Sequence, residues 1–207
     1  MLANSVNYNS ILKSHGNSNK IPYGARVRYF DKGYIFPQTN NLWLLKKGAV
    51  KTITYDESGN TLILGYWGKG DIVGLPLSKL EHEIHCLNSV EALYIAKEKY
   101  EHFATELIDC VRKNDELLRI IRVEKLHKRL GSLLIWLANK FGSPVLQGTS
   151  IDIRLTHQEL ADTIGSTRVT VTRLLNQWEQ ENAIVRPRRF SIVIRDLRLF
   201  EKQLRLS

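Results

Sequence analysis

Between residue 27 and about residue 95 the chain alternates apolar and polar positions in short runs, each closed by glycine, asparagine or aspartate. A period of two puts successive side chains on opposite faces of a strand. The runs predict strands at 26–29, 34–36, 42–45, 49–55, 61–67, 71–73, 84–89 and 92–96. Turns fall at Asp31-Lys32-Gly33, at 37–41, at Lys47-Gly48, at 56–60 and at Gly68-Lys69-Gly70. Many short strands joined in this way predict an antiparallel β-barrel or sandwich. The clearest hairpin joins 51–55 to 61–65 through Asp56-Glu57-Ser58-Gly59-Asn60.

From Lys97 the spacing changes to three and four. A short helix is predicted over 97–103, then a long one from Thr105 or Arg112 through Phe141, stopped by Gly142 with Pro144 beyond. Leu117, Ile120, Ile121, Leu126, Leu130, Leu133, Leu134 and Leu137 fall on one face of it. So long an apolar stripe predicts a dimer seam, with a core helix packed on the barrel as the alternative.

The stretch 155–185 predicts two helices around a tight turn. Thr156 and Glu159 form a T-x-x-E capping box, and Leu160, Ala161 and Ile164 give the stripe behind it. Gly165 supplies the turn, and Ser166 or Thr167 caps the second helix. Val171, Leu174, Leu175 and Trp178 share one face of that helix, while Arg168, Val169, Thr170, Thr172 and Arg173 share the other. No acid lies between Ser166 and Asn176. Solvated helix faces are usually Glu/Lys-rich, and threonine is a poor helix former, so this face is selected for something other than helicity. Arginine forks fit guanine, hydroxyls fit phosphates, and valine or threonine methyls pack on thymine. Next, 183–185 and 190–194 flank a Pro/Arg turn and predict a hairpin wing whose tip carries Arg186, Arg188 and Arg189 toward phosphates.

Charge follows this division. The net charge is +9; residues 1–111 carry 12 Lys+Arg against 11 Asp+Glu, and residues 112–207 carry 18 against 10. The excess travels with the helix pair, as a polyanionic partner requires. There is no long apolar span or aromatic-anchored basic helix for a membrane. Cys86 and Cys110 are too few for an iron–sulfur cluster or a disulfide framework and are expected to be reduced and buried. His82, His85 and Cys86, or His102 and Cys110, do not make a zinc set. The first thirty residues have no acid and no secretory apolar run, and are expected to be a mobile N-terminus rather than a transit peptide. No phosphate loop, nucleophile elbow or carboxylate pair suggests an enzyme. The expected domains are a β-barrel at 1–110, a dimerisation helix at 111–141 and a winged helix-turn-helix at 142–207, α+β overall.

With the strand LLKKGAVK, the FGSP at 141–144 and the segment IGSTRVTVTRLL at 164–175, the chain resembles the cyclic-AMP receptor/FNR family of transcription regulators, near its cyanobacterial and plastid nitrogen-control (NtcA) branch. The resemblance implies a cyclic-nucleotide-binding-like barrel and a homodimer that binds double-stranded DNA and meets RNA polymerase. It places Arg168 and Arg173 at base-reading positions with Val169 between them, implying a palindromic GTA-N8-TAC-like site. His157, Gln158 and Thr167 fall at phosphate-contact positions, with Ser166, Thr170 and Thr172 as groove neighbours. The implied effector pocket is near Val73, Gly74, Leu75 and Pro76, with 2-oxoglutarate as candidate effector; a different effector, or none, is the alternative. Cyclic AMP is disfavoured because 74–81 holds Glu81 and no arginine. The implied location is a cyanobacterial cytoplasm or a chloroplast stroma. A module binding nucleic acid without specificity is the runner-up.

Overall fold

The computed structural model describes residues 27–206. The expected N-terminal segment and the first residue of the 26–29 strand lie outside the described residues. Strands β1 (Val27–Phe30), β2 (Leu42–Lys47), β5 (Ile72–Val73) and β7 (Val90–Ile95) form one antiparallel sheet in the order β1-β7-β2-β5. Strands β3 (Val50–Tyr55), β4 (Thr61–Trp67) and β6 (Glu83–Cys86) form a second, in the order β4-β3-β6. The two are separate hydrogen-bonded sheets rather than one closed barrel, because the Lys47-Gly48 corner sends β2 and β3 to different sheets. Gly48 has φ +87°, and a Cβ there would lie 2.3 Å from the Ser89 carbonyl oxygen. Only glycine fits that corner.

Inward side chains of both sheets fill the space between them, including Trp43, Leu45, Val50, Ile84 and Cys86. Phe30, Phe36 and Trp43 meet edge-on or tilted at 4.3–5.7 Å, a geometry aromatic quadrupoles favour. The expected 34–36 strand reduces to a single bridge from Ile35 to His85. The 56–60 turn forms as expected. The Asp56 carboxylate accepts from the backbone N–H groups of Ser58 and Asn60 and from the Asn60 amide, which hold its pKa below the usual value.

The helical half departs from expectation in one respect. A 3-10 helix at Lys97–Phe103 leads into α1 (Ala104–Ile121), and α2 (Leu126–Phe141) is a separate helix. The break at 122–125 is held by one side chain. Arg129 donates to the carbonyls of Val123 (2.8 Å), Glu124 (3.4 Å) and Ile164 (2.7 Å). It satisfies carbonyls exposed by the break and ties them to the helix-turn-helix. The break also redirects the leucine stripe. Leu130, Leu133, Leu134 and Leu137 are fully buried in this chain's own core with Leu160, Val171 and Leu174, and Leu117 and Ile120 join them. The expected dimer seam is therefore a core, because a leucine with no exposed surface has nothing to offer a partner.

After α2 come β8 (Gly142–Val145), β9 (Gly148–Ile151), α3 (His157–Ile164), α4 (Arg168–Gln180), β10 (Ile184–Val185), β11 (Val193–Ile194) and α5 (Leu197–Leu206). The last four strands make a sheet in the order β10-β11-β9-β8. Helix α5 presses Leu204 onto Gly131, where a Cβ would come within 2.4 Å, and sets Phe200 edge-on to Trp178 at 5.1 Å.

Charge and hydroxyl contacts join the halves. Asp71, just before β5 and 1% exposed, receives Lys113 of α1 at 2.5 Å and Lys140 of α2 at 2.9 Å. Burial works against the Lys113 ammonium, yet Asp71 beside it keeps its pKa above the usual value; deeper burial takes Lys140 below its own. Lys51 of β3 pairs with Glu159 of α3 at 2.6 Å, and Tyr66 of β4 bonds Thr163 of α3 at 2.8 Å. Lys51 and Tyr66 are cross-strand partners, so two neighbours on one sheet face grip α3 one turn apart. Replacing Asp71 with Asn strands two ammonium groups at this junction. Asp71→Asn is expected to cost about 3 kcal/mol in urea unfolding; an unchanged midpoint and slope would mean the triad is not holding the junction.

Candidate nucleic-acid interface

The two-helix reader is built by local signals. Thr156 Oγ1 accepts from the Glu159 backbone N–H, and the Glu159 carboxylate accepts from the Thr156 N–H, so the expected capping box is complete. Gly165 ends α3 in the left-handed region at φ +63°. Thr167, rather than Ser166, caps α4, its hydroxyl accepting from the Thr170 N–H at 3.2 Å. Val171, Leu174, Leu175 and Trp178 are buried, which turns the other face of α4 to solvent.

On that face Arg168, Val169 and Arg173 are exposed, Val169 to 78%. A valine methyl at such a position is of a kind that can pack on a thymine methyl. Of the other expected contacts, Gln158 and Thr167 are exposed, while Ser166, Thr170 and Thr172 are half-buried. The Thr170 hydroxyl meets that of Thr167 at 2.9 Å. Thr172 donates to the Arg168 carbonyl at 2.8 Å and so accepts from His157 Nδ1 at 2.8 Å. That assigns the Nδ1–H tautomer to His157 and leaves Nε2 outermost. Burial, followed by Arg186 and Arg168, keeps the His157 pKa below its usual value.

The wing forms, with strands of two residues each. Arg188 and Arg189 are exposed at its tip, Arg189 lying 4.7 Å over the Phe190 ring. Arg186 is not at the tip. Its Nε and Nη2 hold the Glu179 carboxylate at 3.1 and 2.5 Å, and Nη2 also donates to Asn176 Oδ1 at 2.7 Å. The pairing draws the Glu179 pKa down. Through this pairing Arg186 braces the wing against α4. A concavity of about 590 Å³ lies between the helix pair and the wing, lined by His157, Gln158, Arg168, Arg186, Arg188 and Arg189 among others. A second, of about 560 Å³, lies along α4 and adds Asn176, Gln177 and Gln180 to Arg168, Val169, Thr172 and Arg173. Those amides were not anticipated, although 169, 173, 176 and 180 repeat at helical spacing. Asn and Gln suit the adenine edge.

A separate cavity of about 550 Å³ opens between the sensor sheets and α1. Of the four residues expected at an effector pocket, Val73 and Gly74 line this cavity, while Leu75 and Pro76 form the 3-10 turn Leu75–Leu77 beside it. Gly74 is fixed by crowding, since a Cβ there would sit 2.3 Å from the Asn41 carbonyl oxygen. Cys86 and Cys110 are both buried free thiols, as expected; Cys110 Sγ accepts from the Ile72 N–H. Among the described residues there is no group of three or more His, Cys, Asp or Glu able to hold a metal ion. None of the described helices is long and apolar enough to cross a membrane.

A capped helix pair with a wing, packed under a two-sheet N-terminal unit, defines a winged helix-turn-helix DNA-binding protein. Residues 128–202 match the Crp-like helix-turn-helix domain. The chain is 39% identical over 176 residues to the regulatory protein CysR of Synechococcus elongatus, covering 83% of this chain and 85% of that one. It is 29% identical to the global nitrogen regulator of the same organism, covering 89% and 91%. A CRP/FNR-family transcriptional regulator of Thermus thermophilus superposes with a TM-score of 0.72 at 21% identity, over 88% of this chain and 99% of that one. The chain belongs to the cyclic-AMP receptor/FNR family: it is a DNA-binding transcription regulator and not an enzyme.

Proposed function

We propose that this regulator acts as a homodimer reading a palindromic GTA-N8-TAC-like site, with Arg168 and Arg173 on guanines and Val169 against a thymine methyl. The observation that carries this reading is the exposed Arg168–Val169–Arg173 face on a helix whose opposite face is locked in the core. His157, Gln158, Thr167, Arg188 and Arg189 take phosphates on either side, and Arg186 sets the wing. RNA polymerase is the expected further partner, and the cytoplasm of a cyanobacterium the expected location. A role in nitrogen control draws support from the 29%-identical global nitrogen regulator. The higher identity to the regulatory protein CysR supports the alternative, a regulator of the same family with a different effector or none.

The dimer seam in this proposal lies on α1 instead of the leucine stripe. Ala104, Ile108, Val111, Asp115, Leu118 and Arg122 repeat at alternating spacings of four and three, as a coiled-coil seam requires. Ile108, Val111 and Leu118 are 53%, 62% and 44% exposed, so this stripe is the one with apolar surface to give a partner. An effector in the sensor cavity would shift the population of dimers whose recognition helices are correctly spaced, provided it binds one state better than the other.

In fluorescence anisotropy at fixed salt, Arg168→Ala is expected to lose about 1–3 kcal/mol on the GTA-N8-TAC duplex and little on a scrambled one. Equal losses on both would remove Arg168 from base reading. Leu118→Lys is expected to shift the protein from dimer to monomer in sedimentation velocity with the fold retained; a Leu118→Lys dimer as tight as the parent would place the seam elsewhere.

A further inference from the structure

We infer that the sensor cavity binds an uncharged, mainly apolar small molecule bearing one or two hydrogen-bonding groups. The inference rests on the effector-gated reading above and names the chemistry of the effector. At about 550 Å³ the cavity has the size of a small-molecule site. Leu64, Val73, Leu80, Leu107 and Val111 supply apolar wall, and Trp67 adds a ring.

The polar groups in the wall are neutral hydrogen-bonding ones. Thr52 Oγ1 accepts from Trp67 Nε1 at 3.1 Å and keeps its own proton to donate. His82 Nδ1–H donates to the Leu80 carbonyl at 2.9 Å. Ser78 Oγ accepts from the Leu80 N–H, and Asn114 brings an amide from α1. Among the described residues, no lysine, arginine, aspartate or glutamate lines the cavity. Lys113 and Lys140 point at Asp71, and Lys79, between Ser78 and Leu80, is exposed and is not part of the wall. A dicarboxylate or phosphate placed here would shed its hydration with no fixed counter-charge in return, which costs several kcal/mol. An apolar body loses nothing comparable.

The wall also places the ligand where it can be felt. Val111 lies both in the cavity wall and on the α1 stripe. Thr52 and Trp67 flank Lys51 and Tyr66, which hold α3. A ligand filling the cavity therefore presses on the dimer seam and on the sheet that carries the reader.

The test uses the whole chain and N-phenyl-1-naphthylamine, a neutral apolar fluorophore. Saturable binding of one probe per protomer is expected, retained by Leu107→Ala and lost by the cavity-filling Leu107→Trp. Leu80→Trp, at an exposed rim position, provides a second filling variant should Leu107→Trp fail to fold. 2-Oxoglutarate and cyclic AMP at about millimolar concentration are expected not to displace the probe. Absence of saturable binding, equal binding by the filled variants, or displacement by either anion would overturn the inference. Cognate-duplex preference, measured on the same preparations without probe, separates this failure from failure of the DNA-reading assignment.

Discussion

Burial of Val171, Leu174, Leu175 and Trp178 in the core that α4 shares with α2, α3 and α5 is the constraint on which the rest of the molecule depends. A helix has one orientation in which those four side chains leave water, and each is worth about 1.5–3 kcal/mol when fully buried. Rotating α4 by a single residue would expose part of that surface and bury Arg168 or Arg173. The pose of the Arg168–Val169–Arg173 face is thus set by an apolar interaction on the far side of the helix. The Thr167 cap, the Gly165 turn and the Arg186–Glu179 brace then fix the ends.

The same core reaches the sensor unit. Ala49, Tyr66 and Leu87 of the sheet region belong to the cluster that contains α2, α3 and α4. Around it stand the specific contacts: Lys51 to Glu159, Tyr66 to Thr163, and the two lysines on Asp71. Apolar packing is non-directional, and these polar contacts supply direction, each failing if the units slide by a few ångström. Glu159 serves twice, capping α3 and meeting Lys51. The start of α3 is therefore tied directly to β3.

How much of this was legible in the sequence follows from the range of the interactions involved. The reader was legible because its signals are local: Thr156 with Glu159, Gly165, and the apolar positions of α4 all lie within a few residues of what they determine. The sensor strands and the 56–60 hairpin were legible for the same reason. The break at 122–125 was not, since it contains neither proline nor glycine and is held by Arg129 reaching several residues back and across to Ile164. Periodicity found the leucine stripe but could not say whether its partner was another chain or the same one; burial within the chain decides that. The pairing of Arg186 with Glu179 and Asn176 was not legible because it depends on how the wing folds back. The β8–β9 hairpin and α5 were passed over, although α5 shows an apolar face through Phe200 and Leu204. In the cavity, Val73 and Gly74 were placed by resemblance, whereas the contribution of α1 needed the tertiary structure.

The central claim is that α4 reads bases and does not merely supply positive charge. It is tested most directly by comparing affinities for GTA-N8-TAC and scrambled duplexes while salt is raised from about 50 to 200 mM. Base reading predicts that both affinities fall with similar slopes while the cognate advantage, about a thousandfold or more, persists. Two curves that coincide and collapse together would contradict it, and would leave a basic surface where this account places a reader.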